Sequence, residues 1–453
     1  LWARQTQRWS DFEFNAPRKY DYAIDWPIRY ADLAPWYSHV EKFVGISGNR
    51  DGIENMPDSE VVGAFEMNQV EKSIAESIEK NFNNRKSIIG RSANLAGIKE
   101  EQKKQGRGQC MARSLCERGC PFGGYFSSNS STIPYAEKTG NLIILTDSIA
   151  ESIIYNEQTG RAEGVQVIEA KGLGKKQYKA KVIFLNAATL NSNLILLNSK
   201  SERFPNGLGN DNGLLGRYIA FHNYRGRITA DIDGFGDSYY FGRRPTQVFI
   251  PAFKNIHSNA ETFKGSYLVA YSANREGWAR DPGLDTLGAA FKDAILEPGG
   301  WKISMMMQGE VLPIFENHVR LSTDKKDKFG LPQLITSIGY SDNDVAMMED
   351  FFIEGSSMLE KAGCKNIRKL DQHTAFGRQP GLEVHDVGGV RMGADPKDSL
   401  LNKYNQLHQC KNVFVTDGAC MSSIGNQNPS LTFMALTARA VDYAADQLKN
   451  GNL

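Results

Sequence analysis

The chain has 453 residues, of which 41% are hydrophobic and 23% are charged, so it is long enough to form two or three hydrophobic cores. Its 53 Lys and Arg nearly balance its 52 Asp and Glu, which argues against recruitment of nucleic acid or an acidic partner by net charge. No stretch approaches the ~18 consecutive apolar residues of a transmembrane helix. We therefore expect a globular protein with small, weakly charged partners.

The first half of the chain predicts helices mixed with short strands. Apolar residues at Val70, Ile74, Ile78 and Phe82 recur at every fourth position, which predicts a helix with one buried face. Short apolar or alternating runs at residues 142–145, 153–155, 164–168 and 182–185 predict a small sheet. The last run leads through a tight turn into a leucine-rich helix at 194–197, an order typical of half a nucleotide-binding fold.

A glycine-rich loop at 206–216 predicts a domain boundary, because permissive glycines cluster where a chain changes direction. Alternation of apolar and polar residues from 218 to about 340 then predicts an antiparallel sheet, and helical spacing returns at 345–362. We therefore predict a mixed α/β fold in which residues 1–216 and 376–453 form one Rossmann-like domain. Residues 217–375 are predicted to form an antiparallel-sheet domain inserted between them.

The C-terminal block carries the best-specified helix of the chain. Asn428 is predicted to cap its N-terminus, with Pro429 at the first helical position and Ser430 following. A buried strand just upstream ends at Asp417 and Gly418. The positive end of the helix would stabilise an anion such as a reduced flavin, although the pattern also fits a capped surface helix.

His385 is the strongest candidate for a catalytic base. It lies just before Gly388 and Gly389, which let the backbone approach a ligand closely. An imidazole with a pKa near ~6.5 can take the hydroxyl proton of an alcohol while the carbinol hydrogen leaves as hydride. Asn428 could hold the same oxygen through its amide. The alternative is a histidine that is only packed or solvated.

Three of the six cysteines, Cys110, Cys116 and Cys120, cluster in a glycine-containing loop at 106–126. Such a loop can wrap round a metal centre. Three interpretations stay open at this point: a structural thiol cluster, a zinc site that needs a fourth ligand, and an iron–sulfur site.

These motifs together resemble the glucose-methanol-choline (GMC) flavoprotein oxidoreductases, especially the bacterial glucoside 3-dehydrogenases and gluconate 2-dehydrogenase large subunits. The likeness extends over most of the chain and is carried by residues 25–30, 110–120, 309–322 and 385–435. It implies FAD-dependent oxidation of a secondary alcohol of a sugar or glycoside to the ketone, by hydride transfer to flavin N5.

The resemblance also implies roles for individual residues. The position of His385 is the family's catalytic base and that of Asn428 is its partner. Asp417, Gly418, Asn428, Pro429 and Ser430 fall where the family contacts FAD, and Ala150 falls where its backbone meets adenine. Cys110, Cys116 and Cys120 match ligands of a three-iron (3Fe-4S) cluster that passes electrons to a cytochrome, in some members with a small subunit.

One family feature has no counterpart in this sequence. Members begin with a strand, a G-x-G-x-x-G turn and a helix that bind the FAD pyrophosphate, and this pattern does not occur here. We therefore expect that the sequence is truncated at its N-terminus, and that the 453 residues alone bind FAD poorly. The compartment stays open between the periplasm, which we favour, and the cytoplasm.

Two rival functions remain at the level of sequence. The chain could be an iron–sulfur electron-transfer subunit in which His385 is idle, or a non-catalytic sugar-binding relative. The predicted sheet also offers side chains for a sugar-binding wall, none of which stands out: Tyr239, Tyr240, Arg243, Arg244, Tyr267, Trp278, Trp301, Gln308 and Glu310.

Overall fold

A computed structural model describes residues 3–113, 116–238, 245–257, 262–276, 288–296, 299–380 and 384–453. The α-helices within these ranges are α1 Asp11–Lys19, α2 Tyr30–Val44, α3 Gln69–Asn81, α4 Glu100–Lys104, α5 Ile133–Glu137, α6 Thr189–Asn198, α7 Ala289–Leu296, α8 Asp342–Lys361, α9 Gln372–Phe376 and α10 Ser430–Lys449. The strands are β1 Ile88–Ile89, β2 Ser148–Asn156, β3 Arg161–Glu169, β4 Lys175–Lys179, β5 Ile183–Leu185, β6 Arg217–Ala220, β7 His222–Asn223, β8 Gly226–Ile232, β9 Val248–Ile250, β10 Tyr267–Arg275, β11 Trp301–Glu310, β12 His318–Lys326, β13 Pro332–Ser337, β14 Lys365–Asp371, β15 Val387–Gly389 and β16 Val413–Val415.

One hydrophobic core joins the two ends of the chain. Strand β5 pairs in parallel with β16, and helices α2, α6 and α10 contribute buried residues to the same core. Parallel pairing of such distant strands needs a long crossover, as in nucleotide-binding folds. Segments from both ends of the chain therefore contribute to one core, and the domain bounds at 216 and 376 stay a prediction.

A second core lies on a large antiparallel sheet. Its strands follow the order β1-β9-β10-β11-β8-β14, and β7 also pairs with β11. Helix α8 covers the sheet with Met347, Met348 and Phe351, and helix α3 adds the buried face of Val70, Ile74 and Ile78. A third sheet, β13-β12-β6-β15, connects this region to the segment that follows His385.

The mixed α/β class and its antiparallel portion are confirmed, as are the helices predicted near 70–82, 194–197 and 345–362. The strand predicted at 142–145 is wrong, because these residues lie outside any strand and their apolar side chains are exposed. The run at 182–185 also leaves the small sheet and pairs with β16 instead. In its place the sheet takes β4, whose Lys-rich sequence gives no apolar pattern.

Within the described residues, none of the helices combines the length and the apolar character that crossing a membrane requires.

Candidate active site

His385 and Asn428 meet at the junction of the two cores. His385 lies two residues before β15, and Asn428 lies two residues before α10. Asn428 Nδ2 is 3.3 Å from His385 Nε2. His385 also has a φ of 75°, a left-handed conformation that is costly for a residue with a side chain and is found disproportionately at functional sites.

The glycines that follow His385 have a different role from the one that the sequence suggests. A side chain on Gly388 would collide with the carbonyl of Tyr218, and one on Gly389 would collide with the amide of Asn193. These glycines therefore allow close packing of protein on protein, which holds the backbone after His385 firmly in place.

Asn428 does not cap α10. The N-cap position belongs to Pro429, and the helix begins at Ser430, two residues later than Asn428. The Asn428 amide turns toward the site, where its Oδ1 accepts a hydrogen bond from Gln308 Nε2 at 3.3 Å. The Asn428 side chain therefore contacts Gln308 and His385 and does not cap the helix.

Two further residues contact His385 on its other nitrogen. His222 Nδ1 lies 2.8 Å and Tyr224 Oη lies 3.0 Å from His385 Nδ1. The register of β7 with β11 pairs Asn223 with Gly309, so that Tyr224 comes opposite Gln308. Tyr224 donates a 2.8 Å hydrogen bond to Gln308 Oε1, which closes a ring of contacts around the site.

Burial keeps both histidines neutral near pH 7. Loss of hydration lowers the pKa of His385 to about 4. Burial also lowers the pKa of His222 well below its usual value, and the neighbouring His385 lowers it further. A neutral His385 has a free lone pair, so it can accept a proton from a bound hydroxyl group.

His385 and Asn428 line a cavity of about 870 Å³. Its wall is rich in amides and also carries two guanidinium groups, with Gln5, Arg225, Arg227, Gln247, Gln372 and Gln379 among the lining residues. Phe249, Ala270 and Met306 add an apolar side. A cavity of this size can hold a ring cofactor together with a small polar substrate.

The residues around the cavity fit a flavin. Ala3 and Gln5 line it together with His385 and Asn428, and in the same segment the buried Gln7 amide and Thr6 hydroxyl have no hydrogen-bond partner among the described residues. Buried polar groups are normally paired, so these atoms are suited to a polar ligand edge. The N-terminal end of α10, which begins two residues after Asn428, supplies positive potential to the same region.

The other residues predicted to contact FAD differ in their burial and in the contacts that they already make. The Asp417 carboxylate accepts hydrogen bonds from Ser192 Oγ and from the backbone N–H of Ala419, so protein groups already engage it. Gly418 is buried and has no room for a side chain. Ala150 is exposed on β2 and is not among the residues that line the cavity. Its predicted contact with adenine stays a prediction.

The three clustered cysteines lie together in the 106–126 loop, outside the cavity. Cys110, Cys116 and Cys120 are free thiols and partly buried. The backbone N–H of Cys110 bonds Leu95 O, and Cys120 Sγ accepts from the Gly124 N–H. No three His, Cys, Asp or Glu side chains are arranged to hold a metal ion within the part of the chain that the structure describes, so the iron–sulfur site stays a prediction.

Two buried carboxyl groups lie behind the 425–428 loop. Tyr22 Oη is 3.2 Å from each Glu310 oxygen, and Gln427 Nε2 donates to Glu13 Oε1 at 2.7 Å. Burial and the nearby Glu13 raise the pKa of Glu310 to about 8, and burial also raises the pKa of Glu13. Glu310 is therefore mostly protonated at pH 7.

Among the side chains considered for a sugar-binding wall, Gln308 alone lines the described cavity. Tyr267 and Trp301 are buried in the second core, and Glu310 is buried behind the loop. Tyr239, Tyr240, Arg243, Arg244 and Trp278 lie outside the described residues. Sequence reasoning missed His222 and Tyr224, although their spacing places both side chains on the same face of an extended strand.

A neutral imidazole and an amide donor that line one cavity fit a cofactor-dependent oxidoreductase that acts on alcohols. Two family models for GMC oxidoreductases match residues 27–222 and 313–437. The chain belongs to the GMC oxidoreductase family, whose members use FAD to oxidise CH–OH groups.

Three relatives align with nearly the whole chain. 2-Methyl-1,2-propanediol dehydrogenase of Mycolicibacterium austroafricanum is 26% identical over 96% of this chain and 77% of its own length. The fructose dehydrogenase large subunit of Gluconobacter japonicus is 24% identical over 99% and 80%. The gluconate 2-dehydrogenase flavoprotein of Pantoea cypripedii is 24% identical over 94% and 73%.

The fold is also similar to that of a solved structure. A variant of formate oxidase from Aspergillus oryzae superposes with a TM-score of 0.64, covering 99% of this chain and 83% of that chain at 12% identity. This likeness concerns the fold alone.

Proposed function

We propose that this enzyme oxidises a secondary alcohol of a sugar or glycoside to the keto sugar, with His385 as the base and Asn428 as its partner. The observation that carries the proposal is the 3.3 Å pairing of Asn428 Nδ2 with His385 Nε2 in the wall of the cavity. FAD, when bound, supplies the hydride acceptor at its N5 atom.

The chain's own residues manage the proton and the alcohol oxygen. His385 Nε2 accepts the hydroxyl proton as the C–O bond becomes C=O and the carbinol hydrogen leaves with its electron pair. Asn428 Nδ2 donates to the same oxygen and holds it beside the base. Gln308 keeps the Asn428 amide in this orientation by donating to Oδ1.

The polar side chains of the cavity wall are suited to a polyhydroxylated substrate. The side chains of Gln5, Gln247, Gln372 and Arg227 line it, and amides and guanidinium groups can bond several hydroxyls at once. The names of two relatives, fructose dehydrogenase large subunit and gluconate 2-dehydrogenase flavoprotein, support the same substrate class.

A screen of glycosides, free sugars and aldonates with a dye acceptor tests this proposal on the FAD-loaded protein. We expect at least one sugar to bleach the flavin, and His385→Ala to lower its kcat/KM by about 10²- to 10⁴-fold. His39→Ala changes an exposed histidine on α2 and is the matched control. Sugar binding without bleaching would favour a non-catalytic relative, and unchanged turnover of His385→Ala would favour an electron-transfer subunit.

We propose separately that the 106–126 loop carries a 3Fe-4S cluster that relays electrons to a partner subunit or cytochrome. The support is the grouping of three partly buried thiols in one anchored loop, together with a relative whose name marks it as one subunit of a larger enzyme. Iron and acid-labile sulfide analysis of anaerobically purified protein tests it. Absence of both would remove the relay and leave the alcohol oxidation unaffected.

A further inference from the structure

His222 is a buried histidine whose hydrogen bonds have only one consistent arrangement. His222 lies in β7, and its side chain is fully buried and neutral. One ring nitrogen therefore carries a proton, and the other carries only a lone pair. Its Nε2 lies 3.0 Å from the carbonyl oxygen of Gly425, which can only accept. The proton of His222 is therefore on Nε2, and Nδ1 carries a lone pair.

This arrangement dictates the proton position on His385. The bare Nδ1 of His222 is 2.8 Å from Nδ1 of His385, and two lone pairs would repel at that distance. His385 must donate from Nδ1, and because its ring is neutral its Nε2 is bare. The lone pair of His385 then points toward Nδ2 of Asn428 at 3.3 Å, on the side where the substrate hydroxyl would bind.

Tyr224 is consistent with the same arrangement and does not supply a competing proton. The Gln308 amide is oriented by its 2.8 Å donation from Nε2 to the carbonyl of Asn426, which leaves Oε1 to accept from the Tyr224 hydroxyl. The oxygen of Tyr224, 3.0 Å from His385 Nδ1, is then free to act as a second acceptor. Both neighbours of Nδ1 accept, and neither donates.

We infer that His222 is a positioning residue that fixes the tautomer of His385, so that the nitrogen facing the substrate is always the unprotonated one. The inference rests on the proposed function, because the tautomer of His385 matters for the reaction only when His385 is the base. His222 acts through His385 and need not touch the substrate. Without this partner only the Tyr224 oxygen accepts from Nδ1, so a larger fraction of His385 would populate the tautomer with Nε2 protonated, which cannot accept the hydroxyl proton.

Two substitutions separate the two hydrogen bonds of His222. In His222→Asn, the amide oxygen is as many bonds from the backbone as Nδ1 and can accept from His385, but the contact with Gly425 is lost. In His222→Gln, the amide nitrogen reaches the place of Nε2 and can donate to Gly425, but the acceptor at 2.8 Å is lost and only the Tyr224 oxygen, at 3.0 Å, can still accept from His385 Nδ1. The comparison of His222→Asn with His222→Gln therefore tests the tautomer of His385, and both variants keep a polar amide at position 222.

The first readout is the tautomer itself, measured by side-chain ¹⁵N NMR of the FAD-loaded protein with labelled histidine. The His385 signals among the seven histidines are assigned by comparison with His385→Ala. We expect Nδ1 of His385 to be protonated in the natural protein and in His222→Asn, and the fraction protonated at Nδ1 to fall in His222→Gln, where Tyr224 is the acceptor that remains. A protonated Nε2 in the natural protein would overturn the inference without any variant.

The second readout is the rate of flavin reduction by a sugar that the screen identifies. His222→Gln should reduce flavin about 10- to 100-fold more slowly, with little change in KM, and His222→Asn should recover most of the rate. Equal effects of the two substitutions on rate and tautomer would show that His222 only packs against the loop. The NMR measurement needs no substrate. Failure of every sugar to bleach the flavin would therefore contradict the proposed function, and the NMR result would still decide the tautomer of His385.

Discussion

Glu310 offers a quantitative test of how the buried network behaves. Burial and the nearby Glu13 raise its pKa from 4.5 to about 8. The folded protein therefore holds a proton that the unfolded chain releases above about pH 4.5. This contribution to stability is complete below pH 4.5 and is lost progressively as the pH rises toward 8. The substitution Glu310→Gln removes the titration and keeps the shape.

The size of the effect follows from the two pKa values. At about 1.4 kcal/mol per pH unit, the rise from 4.5 to about 8 corresponds to about 5 kcal/mol, of which about 4 kcal/mol falls between pH 5 and pH 8. For 453 residues the entropy of unfolding is about 1 kcal/mol per kelvin. We therefore expect the Tm of Glu310→Gln, relative to that of the natural protein, to rise by about 4 °C over this range.

Thermal unfolding of both FAD-loaded proteins at pH 5, 6, 7 and 8 measures this difference. Glu349→Gln removes a carboxylate from the exposed side of α8 and controls for the change in net charge. The test is the direction in which the Tm difference changes with pH. The absolute Tm also includes any contact of Glu310 that the amide loses. A Tm difference that stays constant with pH, or that falls as the pH rises, would refute the raised pKa.

Further outcomes follow from the site and from the first core. Because burial lowers the pKa of His385 to about 4, flavin reduction measured by stopped-flow pH jump should be level from pH 8 to about 5 and fall only near pH 4; a fall centred above pH 6 would contradict this. Gln308→Ala should lower kcat/KM about tenfold by releasing the Asn428 amide, with the FAD absorbance unchanged. Asn412→Ala leaves the buried backbone N–H and carbonyl of Ala162 unpaired and should cost about 2–4 kcal/mol of unfolding free energy, seen as a lower Tm.

The meeting of His385 with Asn428 could be predicted from sequence, because local pattern and position agree there. His385 lies just before the short strand β15, and Asn428 lies just before the long helix α10. The parallel pairing of β5 with β16 helps bring the C-terminal block into the first core. The helix that begins after Asn428 could be recognised, but its start could not be fixed. Asn and Pro are both favoured at helix starts, and the Asn428 side chain is used for the site instead of the cap.

Contacts between distant strands could not be predicted. His222 and Tyr224 have no local signature that separates them from other polar residues of a sheet, and their meeting with His385 depends on the register of β7 against β11. The strand predicted at 142–145 is wrong for a related reason. An apolar pattern alone does not show whether a segment has a neighbouring strand with which to pair.

The active site draws its residues from both cores, and this division has a consequence for catalysis. Gly388 and Gly389 lock the backbone after His385 against β6 and α6, whereas Tyr224 and Gln308 belong to the antiparallel sheet region. Hydrogen bonds of 2.8 to 3.3 Å link the two groups, so a displacement of one core by ~1 Å would break the ring and release the His385 tautomer. Substitutions that loosen the contact between the cores should therefore slow flavin reduction even when they lie far from the cavity.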